Sequence, residues 1–264
     1  MTYDFEGAGL QVHRAGSVLE LTLKRPHRLN ALNQGLLRAL DHAIVDASDD
    51  NTIRCLILTG DGEKAFCAGA DVKEWMEPGD HLGVRHFCNL GQEIFRRVEL
   101  CPKPVIAALN GVAFGGGLEL AMACDLRIAV PEARLGQPEV TLGAYPGWQG
   151  IPRLVRHVGL SRAKQLVLLG KPISADEALA WGLVNEVVDR DRLMQTAREM
   201  AETLEQRGPL ALALGKEVAA LTNEIPLAHA RLESLGVGLI AMTQDFVEGS
   251  NAFKEKREPR FTGR

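Results

Sequence analysis

Short runs of alternating hydrophobic and polar residues recur along the chain, and each is followed by a helical pattern. The run SVLELTL at 17–23 alternates as a half-buried strand does, and Arg25-Pro26 ends it. The apolar residues of the next segment recur at three- and four-residue intervals, as in an amphipathic helix: Leu32, Leu36, Leu37, Leu40 and Ile44. The polar residues at 48–51 close this predicted helix.

The same order of elements is repeated further along. The apolar runs IRCLIL at 53–58, PVIAAL at 104–109 and LRIAV at 126–130 predict buried strands. Helices are predicted from Asp71 to Met76, with Asp71 as the N-cap, and over LELAMA at 118–123. Repeated strand, turn and helix units predict an α/β core with helices packed on buried strands.

The pattern changes near residue 191. Strand-like runs disappear, and stretches rich in Ala, Leu and Glu follow, interrupted by Gly208-Pro209 and Pro226. We therefore predict a catalytic core over residues 1–190 and a helical region over residues 191–264.

Composition narrows the possible partners. The chain has 264 residues, 46% hydrophobic and 24% charged, which suits one fully folded globular protein. Its formal net charge of -4 supplies no basic field for nucleic acid or an acidic membrane. No stretch approaches the roughly 18 consecutive apolar residues of a membrane span. We expect neither a nucleic acid nor a membrane as partner.

Cysteine usage indicates a reducing compartment. The five cysteines are scattered and never spaced as C-x-x-C, so neither a disulfide framework nor a zinc site is predicted. The opening MTYDFEGAGL has no charged segment that leads into an apolar run, as a secretory leader would. We therefore expect a cytoplasmic protein.

Two loops share one design. CAGAD at 67–71 and FGGGLE at 114–119 each lead from a strand through small residues into a helix. Free N–H groups at a helix start carry partial positive charge, so two such loops together could bind a developing oxyanion. Either loop alone is also explained by glycines that permit a tight turn. GGGLEL does not fit the dinucleotide fingerprint, because its sixth position is Leu120.

Two carboxylates stand out because of their apolar surroundings. Glu119 lies between two leucines in the first turn of a predicted helix, and Glu139 follows Gln137-Pro138 in a predicted loop. Ionised carboxylates rarely occupy such surroundings without a partner. Each has a structural alternative, since Glu119 could balance the helix dipole and Glu139 could be an exposed loop acid. A catalytic interpretation requires both groups together.

Six motifs occur in an order typical of one family. They are LTLKRPHRLNALN, AFCAGADVKE, KPVIAALNGVAFGGGLELAMACD, LGQPEVTLGAYPG, GLVNEVV and AFKEKREPRFTGR. With them the chain resembles the enoyl-CoA hydratase/isomerase (crotonase) superfamily from Leu21 nearly to its end. The resemblance implies an α/β spiral of ββα turns, followed by a helical C-terminal region that builds homotrimers, usually paired as homohexamers.

The resemblance also implies a catalytic centre. The backbone N–H groups of Ala70 and Gly116 would bind the carbonyl oxygen of an acyl-CoA thioester. Glu119 would hold and deprotonate a water molecule, Glu139 would protonate the α-carbon, and Gly147 would donate its N–H to the water. Two fixed donors suit this chemistry, because electrons move onto the carbonyl oxygen when water attacks the β-carbon.

Coenzyme A is implied as part of the substrate, and neither a separate cofactor nor a metal is expected. It would lie over the segment from residue 24 to residue 31, and two residues near the C-terminus would complete the nucleotide site. The residues assigned to coenzyme A or substrate binding are Lys24, Arg28, Leu29, Ala31, Ala68, Asp71, Val72, Lys73, Phe253 and Lys256.

Both acids favour an enoyl-CoA hydratase, because pure double-bond isomerases of this family typically lack an acid at the position of Glu119. The alternative is another acyl-CoA reaction of the superfamily, such as isomerisation or a specialised hydration. An RNA-binding role, known for at least one member, is disfavoured by the acidic balance. An inactive assembly subunit is disfavoured because both acids and both glycine loops are present.

One motif departs from the family pattern. PGWQGI at 146–151 stands where common hydratases have PGAGGT, so Trp148 is expected to reshape the acyl pocket. Trp75, Met76 and Phe87 lie in the variable acyl-pocket region of the family. For these three residues, pocket lining and plain core remain open alternatives.

Overall fold

The computed structural model describes residues 4–75, 80–222, 234–235, 237–239, 241–257 and 259–260. The strands in these residues form two sheets. In chain order they are β1 Leu10–Ala15, β2 Val18–Leu23, β3 Cys55–Gly60, β4 Ala65–Cys67, β5 Val105–Leu109, β6 Val112–Phe114, β7 Leu126–Ala129, β8 Arg134–Gly136, β9 Ile173–Ser174 and β10 Glu186–Val187.

The helices in the same residues follow the strands in a regular succession. In chain order they are α1 Gln34–Asp49, α2 Val72–Trp75, α3 His81–Glu99, α4 Gly116–Ala123, α5 Gly150–Leu169, α6 Ala175–Ala180, α7 Leu193–Glu205, α8 Pro209–Thr222 and α9 Gln244–Glu255. Short 3-10 helices span Pro26–Arg28, Pro138–Leu142 and Arg190–Arg192. Within the described ranges, no helix has the length and apolarity that a membrane span needs.

The larger sheet has the strand order β1-β2-β3-β5-β7-β10, and the smaller sheet has the order β4-β6-β8-β9. In the larger sheet β1 and β2 pair antiparallel, and the other pairs are parallel. In the smaller sheet β4, β6 and β8 are parallel, and β9 joins antiparallel. Three times the chain passes from the larger sheet to the smaller sheet and then into a helix. This succession confirms the predicted repetition of strands and helices.

Local sequence explains how α1 begins and where it packs. The side chain of Asn33 accepts a hydrogen bond from Leu36 N at 2.8 Å, which satisfies one of the free N–H groups of the first turn. The apolar residues that predicted this helix are buried in the main core: Leu36, Leu37, Leu40 and Ile44. Burying each such side chain contributes about 1.5–3 kcal/mol before entropy is counted.

The predicted strands are found within one or two residues, but five short ones were missed. β9 and β10 have only two residues each. β4, β6 and β8 have three residues each, too few to produce an alternating pattern. β1 was also missed, because its partly exposed residues read as a lead-in to β2. Glu139, predicted in a loop, lies in the 3-10 helix Pro138–Leu142.

The region after residue 191 is helical where it is described, as predicted. Its first helix, α7, packs against β3 and β5 of the larger sheet. Ala197 and Ala201 of α7 are buried in the main core. The division of the chain at residue 190 stays a prediction, and residues 223–233 lie outside the described part.

Candidate active site

Three strand ends meet at one edge of the smaller sheet. β4, β6 and β8 are adjacent and parallel, so their carboxyl ends lie side by side. The segments that follow them begin at Ala68, Gly115 and Gln137. The fold therefore brings together the two glycine loops and the segment that carries Glu139.

The first loop presents the N–H of Ala70. Gly69 has a φ of 105°, a left-handed conformation that favours glycine. Leu32 N donates to Gly69 O at 2.8 Å, and Asp71 N donates to Leu32 O at 2.8 Å. In this parallel bridge the two hydrogen bonds are made by Gly69 and Asp71, the neighbours of Ala70. The N–H of Ala70 takes no part in them. No described residue accepts a hydrogen bond from that N–H.

The second loop presents the N–H of Gly116. This glycine is the first residue of α4, so its N–H has no partner within the helix and carries partial positive charge. The two loops are in contact. A Cβ on Gly69 would lie 3.4 Å from Gly116 N, and a Cβ on Gly116 would lie 3.4 Å from Ala70 N. Two backbone donors side by side are the arrangement that stabilises an oxyanion.

A cavity of about 120 Å³ opens beside these two amides. One water molecule needs roughly 10–15 Å³ of such space, so the cavity has room for a small acyl group as well. Its walls include these predicted site residues: Ala68, Ala70, Val72, Gly116, Glu119, Glu139 and Gly147. The other predicted binding residues are not among its described walls: Lys24, Arg28, Leu29, Ala31, Asp71, Lys73, Phe253 and Lys256. The cavity unites the predicted catalytic residues but not the predicted nucleotide contacts.

Glu119 is buried in the first turn of α4, with 2% of its surface exposed. Its Oε1 accepts hydrogen bonds from Trp148 N at 2.9 Å and from Gly150 N at 2.7 Å. Burial raises the pKa of this carboxyl to about 7, although both amide donors favour its charged form. A carboxyl with such a pKa can both accept and release a proton near neutral pH.

Glu139 faces the same cavity. A Cβ on Gly115 would lie 2.9 Å from its Oε1, so a side chain larger than glycine's would crowd the carboxyl. Burial, and then the negative charge of Glu119, raise the pKa of Glu139 well above its usual range. The protonated form of Glu139 is therefore favoured, because its ionisation would place a second negative charge beside Glu119. Two carboxyls whose environments separate their protonation states can act as an acid and a base.

The buried side chain of Gln137 holds Glu139 in place. Its amide nitrogen, in the orientation that satisfies both ends of the amide, lies 2.8 Å from Glu139 Oε1 and 3.1 Å from Oε2. Gln137 stands at the end of β8, two residues before the acid. This contact rules out the alternative of a freely exposed loop acid.

The loop that binds Glu119 is supported by buried polar groups. Gln92 donates to Gly147 O at 2.8 Å, and Arg153 donates to Trp148 O at 2.8 Å. Arg153 is fully buried and pairs with Glu99 at 2.9 Å. Gly147, which the resemblance assigns as the donor to a water, lines the cavity, and its carbonyl accepts the hydrogen bond from Gln92.

Sequence reasoning missed Gln92, Gln137 and Arg153. A single polar residue on an amphipathic helix gives the same pattern whether it faces solvent or the interior. Gln137 lies inside a motif that was recognised, but nothing in that motif distinguishes it from its neighbours. Only the tertiary contacts reveal these three residues.

Asp71 joins the segment 24–31 to the first loop. Arg25 donates to Asp71 Oδ2 at 2.8 Å and also to Ala31 O. Asp71 Oδ1 accepts from Lys73 N at 3.3 Å, which agrees with the predicted N-cap. Of the predicted coenzyme A contacts on and beside this segment, Ala31 and Asp71 are buried, whereas these are exposed: Lys24, Arg28, Leu29 and Lys73. Their placement leaves these side chains available to a ligand that covers the segment.

The predicted C-terminal pair, Phe253 and Lys256, is exposed at the end of α9. This helix packs against the 3-10 helix that carries Glu139. A Cβ on Gly249 would come within 2.2 Å of Leu142 O, so glycine is required for this close approach. The helix that carries the predicted nucleotide contacts, α9, therefore packs against the 3-10 helix that carries Glu139.

Cavity lining and core were both open for Phe87, and this residue does both: it lines the cavity and is buried in the main core. Met76 and the side chain of Trp75 lie outside the described residues. Among the residues that the structure describes, no group of three or more His, Cys, Asp or Glu side chains could hold a metal ion.

The raised pKa values predict that the folded protein loses stability as the pH rises through about 7. A carboxyl with a higher pKa in the folded state than in the unfolded state stays protonated to a higher pH when the protein is folded. Between the two values the folded state binds more protons, so the free energy of unfolding falls with rising pH. Urea midpoints measured from about pH 5 to about pH 9 at one protein concentration should show this slope.

Glu139→Gln should make the slope shallower, because it removes one of the two carboxyls whose pKa is raised in the folded state. The matched control is Glu132→Gln, since Glu132 is 64% exposed and pairs with Arg190 at the surface. The control should retain the full slope. An unchanged slope in folded Glu139→Gln would contradict the pKa assignment.

Three sequence likenesses relate this chain to known proteins. The family model described as Enoyl-CoA hydratase/isomerase matches residues 13–264. A short-chain-enoyl-CoA hydratase of Clostridium acetobutylicum is 46% identical over 249 residues, which cover 94% of this chain and 95% of that protein. A crotonyl-CoA hydratase of Syntrophomonas wolfei is 44% identical over 243 residues, which cover 91% of this chain and 93% of that protein.

A solved structure shows the same architecture. The crystal structure of an enoyl-CoA hydratase from Bacillus anthracis is 40% identical in sequence and superimposes with a TM-score of 0.79. The match covers 97% of this chain and 100% of that chain. This likeness confirms the predicted spiral of ββα turns.

Proposed function

Because this chain belongs to the enoyl-CoA hydratase/isomerase family, we propose that it adds water reversibly across the C2=C3 double bond of a 2-enoyl-CoA thioester. The observation that carries this proposal is the pair of carboxyls with raised pKa values, Glu119 buried and Glu139 half-buried, at one cavity beside two backbone donors. Hydration moves two protons, one from the water and one to the α-carbon. Two carboxyls at one cavity supply a group for each.

The electrons move toward the two loops. Water attacks the β-carbon, a carbon-oxygen bond forms, and the double-bond electrons shift through the α-carbon onto the thioester oxygen. The N–H groups of Ala70 and Gly116 bind that oxygen as its negative charge develops, which lowers the barrier. The α-carbon then takes a proton, the carbonyl re-forms, and a 3-hydroxyacyl thioester results.

The protons move through the two acids. Glu119, held by Trp148 N and Gly150 N, aims its carboxylate at the water and takes its proton. Glu139, whose raised pKa favours its protonated form, donates a proton to the α-carbon. Gly147 offers its N–H to the water at the cavity wall. Reversal of these transfers dehydrates the 3-hydroxyacyl thioester, so the same groups serve both directions.

The test is an assay of purified protein with 2-enoyl-CoA thioesters. We expect the absorbance of the conjugated thioester to disappear and the product to be one water heavier by mass spectrometry. A product of unchanged mass with a shifted double bond would indicate an isomerase instead. Unchanged substrate across the panel would contradict the proposal.

We propose that the coenzyme A part of the substrate lies over the segment 24–31 and reaches Phe253 and Lys256, with no separate cofactor. The exposed cations and the exposed aromatic ring there suit a phosphorylated nucleotide. Five free cysteines, all buried, support a reducing compartment, and we propose the cytoplasm.

Lys256→Ala is expected to raise KM for coenzyme A thioesters more than it lowers kcat, because a distant nucleotide contact is mostly uniform binding. The matched control is Lys254→Ala, an exposed lysine of the same helix with no assigned contact. Initial rates with coenzyme A and short pantetheine thioesters check the effect. An equal loss with pantetheine thioesters, which lack the nucleotide, would place Lys256 elsewhere in the mechanism.

We also propose that the chain assembles as a homotrimer, or as a homohexamer of two trimers, through its C-terminal helices. Large apolar side chains are exposed there in the single chain: Leu210, Leu214, Leu235, Leu239 and Met242. A soluble monomer rarely exposes such a concentration of leucine, so these side chains support burial against other copies.

A further inference from the structure

We propose that Trp148, seated on Gly91, closes the acyl cavity and restricts the enzyme to short 2-enoyl thioesters. This inference rests on the proposed hydration, because it concerns the part of the substrate beyond the reacting double bond. It assigns to Trp148 and Gly91 a role in the choice of substrate.

The catalytic groups determine the direction in which the acyl chain runs. The carbonyl oxygen lies at Ala70 and Gly116, the α-carbon at Glu139 and the β-carbon at Glu119. Carbon atoms beyond the β-carbon must therefore extend past Glu119. The next residue there is Trp148, whose backbone N–H donates to Glu119 and whose ring lines the cavity.

Two glycines make room for the indole ring. A Cβ on Gly91 of α3 would lie 2.3 Å from Trp148 Cε2 and Nε1, and a Cβ on Gly116 would lie 2.3 Å from Trp148 Cζ3. Any larger residue at either position would push the ring out of its place. The indole thus fills the space between α3 and the start of α4. Only 4% of the surface of Trp148 is exposed.

The ring is held in one orientation. Phe87 and Phe95 each pack edge-on against it, with ring centroids 5.2 Å away and planes at 76°. Its Nε1 donates a long hydrogen bond of 3.4 Å to Phe87 O, and Arg153 binds its backbone oxygen. A longer acyl chain can enter only by displacing this packed ring. Because the same residue holds Glu119, such displacement would also disturb the base.

Trp148→Ala removes the ring and keeps the backbone N–H that binds Glu119. One methylene in an apolar pocket changes kcat/KM by roughly 10- to 200-fold. We therefore expect wild-type kcat/KM to fall at least about 10-fold from four-carbon to eight-carbon 2-enoyl-CoA. In Trp148→Ala the ratio of eight-carbon to four-carbon kcat/KM should rise about 10-fold or more. Trp148→Phe, a smaller change that preserves more packing, should give an intermediate ratio.

The matched control is Trp181→Ala. Trp181 lies outside the described cavity walls and packs against Arg162, whose guanidinium is 5.2 Å from the ring centroid. This variant should keep the wild-type ratio. Inhibition constants of saturated four-carbon and eight-carbon acyl-CoA, which undergo no hydration, measure the size of the cavity apart from the chemistry. They should shift in the same direction as kcat/KM.

The outcomes separate this inference from the proposed function. If wild-type protein hydrates four-carbon and eight-carbon substrates equally well, the inference is wrong and the proposed hydration stands. The same holds if folded Trp148→Ala and Trp148→Phe both keep the wild-type ratio. If no 2-enoyl-CoA of any length is hydrated, the proposed function fails, and this inference fails with it.

Discussion

Glu119→Gln should lower the rate of hydration about 10²- to 10⁴-fold, the usual contribution of a general base. Glutamine keeps an oxygen that can accept from Trp148 N and Gly150 N, so the loop should stay in place. Exchange of the α-proton with solvent should survive in part, because Glu139 is unchanged. Loss of conjugation measures hydration, and α-deuteration of a saturated acyl-CoA in deuterium oxide, followed by mass spectrometry, measures exchange.

Glu139→Gln should lose both hydration and α-proton exchange, because no other described group is assigned to the α-carbon. The contact with Gln137 can persist with a glutamine amide, and little stability should be lost. Exchange thus distinguishes the two acids, while hydration alone does not.

The control for both variants is Glu132→Gln, a surface change that should leave both reactions intact. Full hydratase activity in either active-site variant would contradict the two-acid mechanism and favour isomerisation by one carboxylate. If exchange is lost only in Glu119→Gln, the reaction class stands but the two roles are reversed.

Gly116→Pro should abolish measurable turnover, because it deletes a donor to the thioester oxygen. Loss of one such donor costs about 10²- to 10³-fold in rate. Proline at the first position of a helix is compatible with the helix itself, since the N–H there has no partner within it. However, any side chain at this position meets Trp148, whose Cζ3 would be 2.3 Å from the new Cβ. The proline variant alone therefore combines two effects.

Gly116→Ala is the matched variant, because it adds the same Cβ and keeps the N–H. Both substitutions should also be made in the Trp148→Ala background, where the clash is absent. There the ratio of the alanine to the proline variant reports the N–H itself, and we expect about 10² or more. Circular dichroism and thermal unfolding confirm that each variant is folded. Equal turnover of folded alanine and proline variants would remove Gly116 from the mechanism.

Much of the architecture could be predicted because it depends on local pattern. The apolar positions of α1 recur with helical spacing, and they are buried in the structure. The runs that became β2, β3, β5 and β7 are continuous enough to be recognised without knowledge of their partners. The order of the motifs indicated the family. The family resemblance in turn indicated the two acids and the two amide donors, which all line the cavity.

The sequence by itself thus determined the succession of elements, the chemical groups and the family to which they belong. The tertiary structure alone decided which groups meet. The three-residue strands β4, β6 and β8 exist because they pair with each other, and that pairing aligns the loops of the cavity.

Long-range contacts also decided the behaviour of the side chains. Burial raises the pKa of Glu119, Arg153 holds its loop, and Gly91 admits the ring of a tryptophan far along the chain. Each of these effects depends on residues distant in sequence, whereas hydrophobic periodicity reports only which face of a local segment is covered.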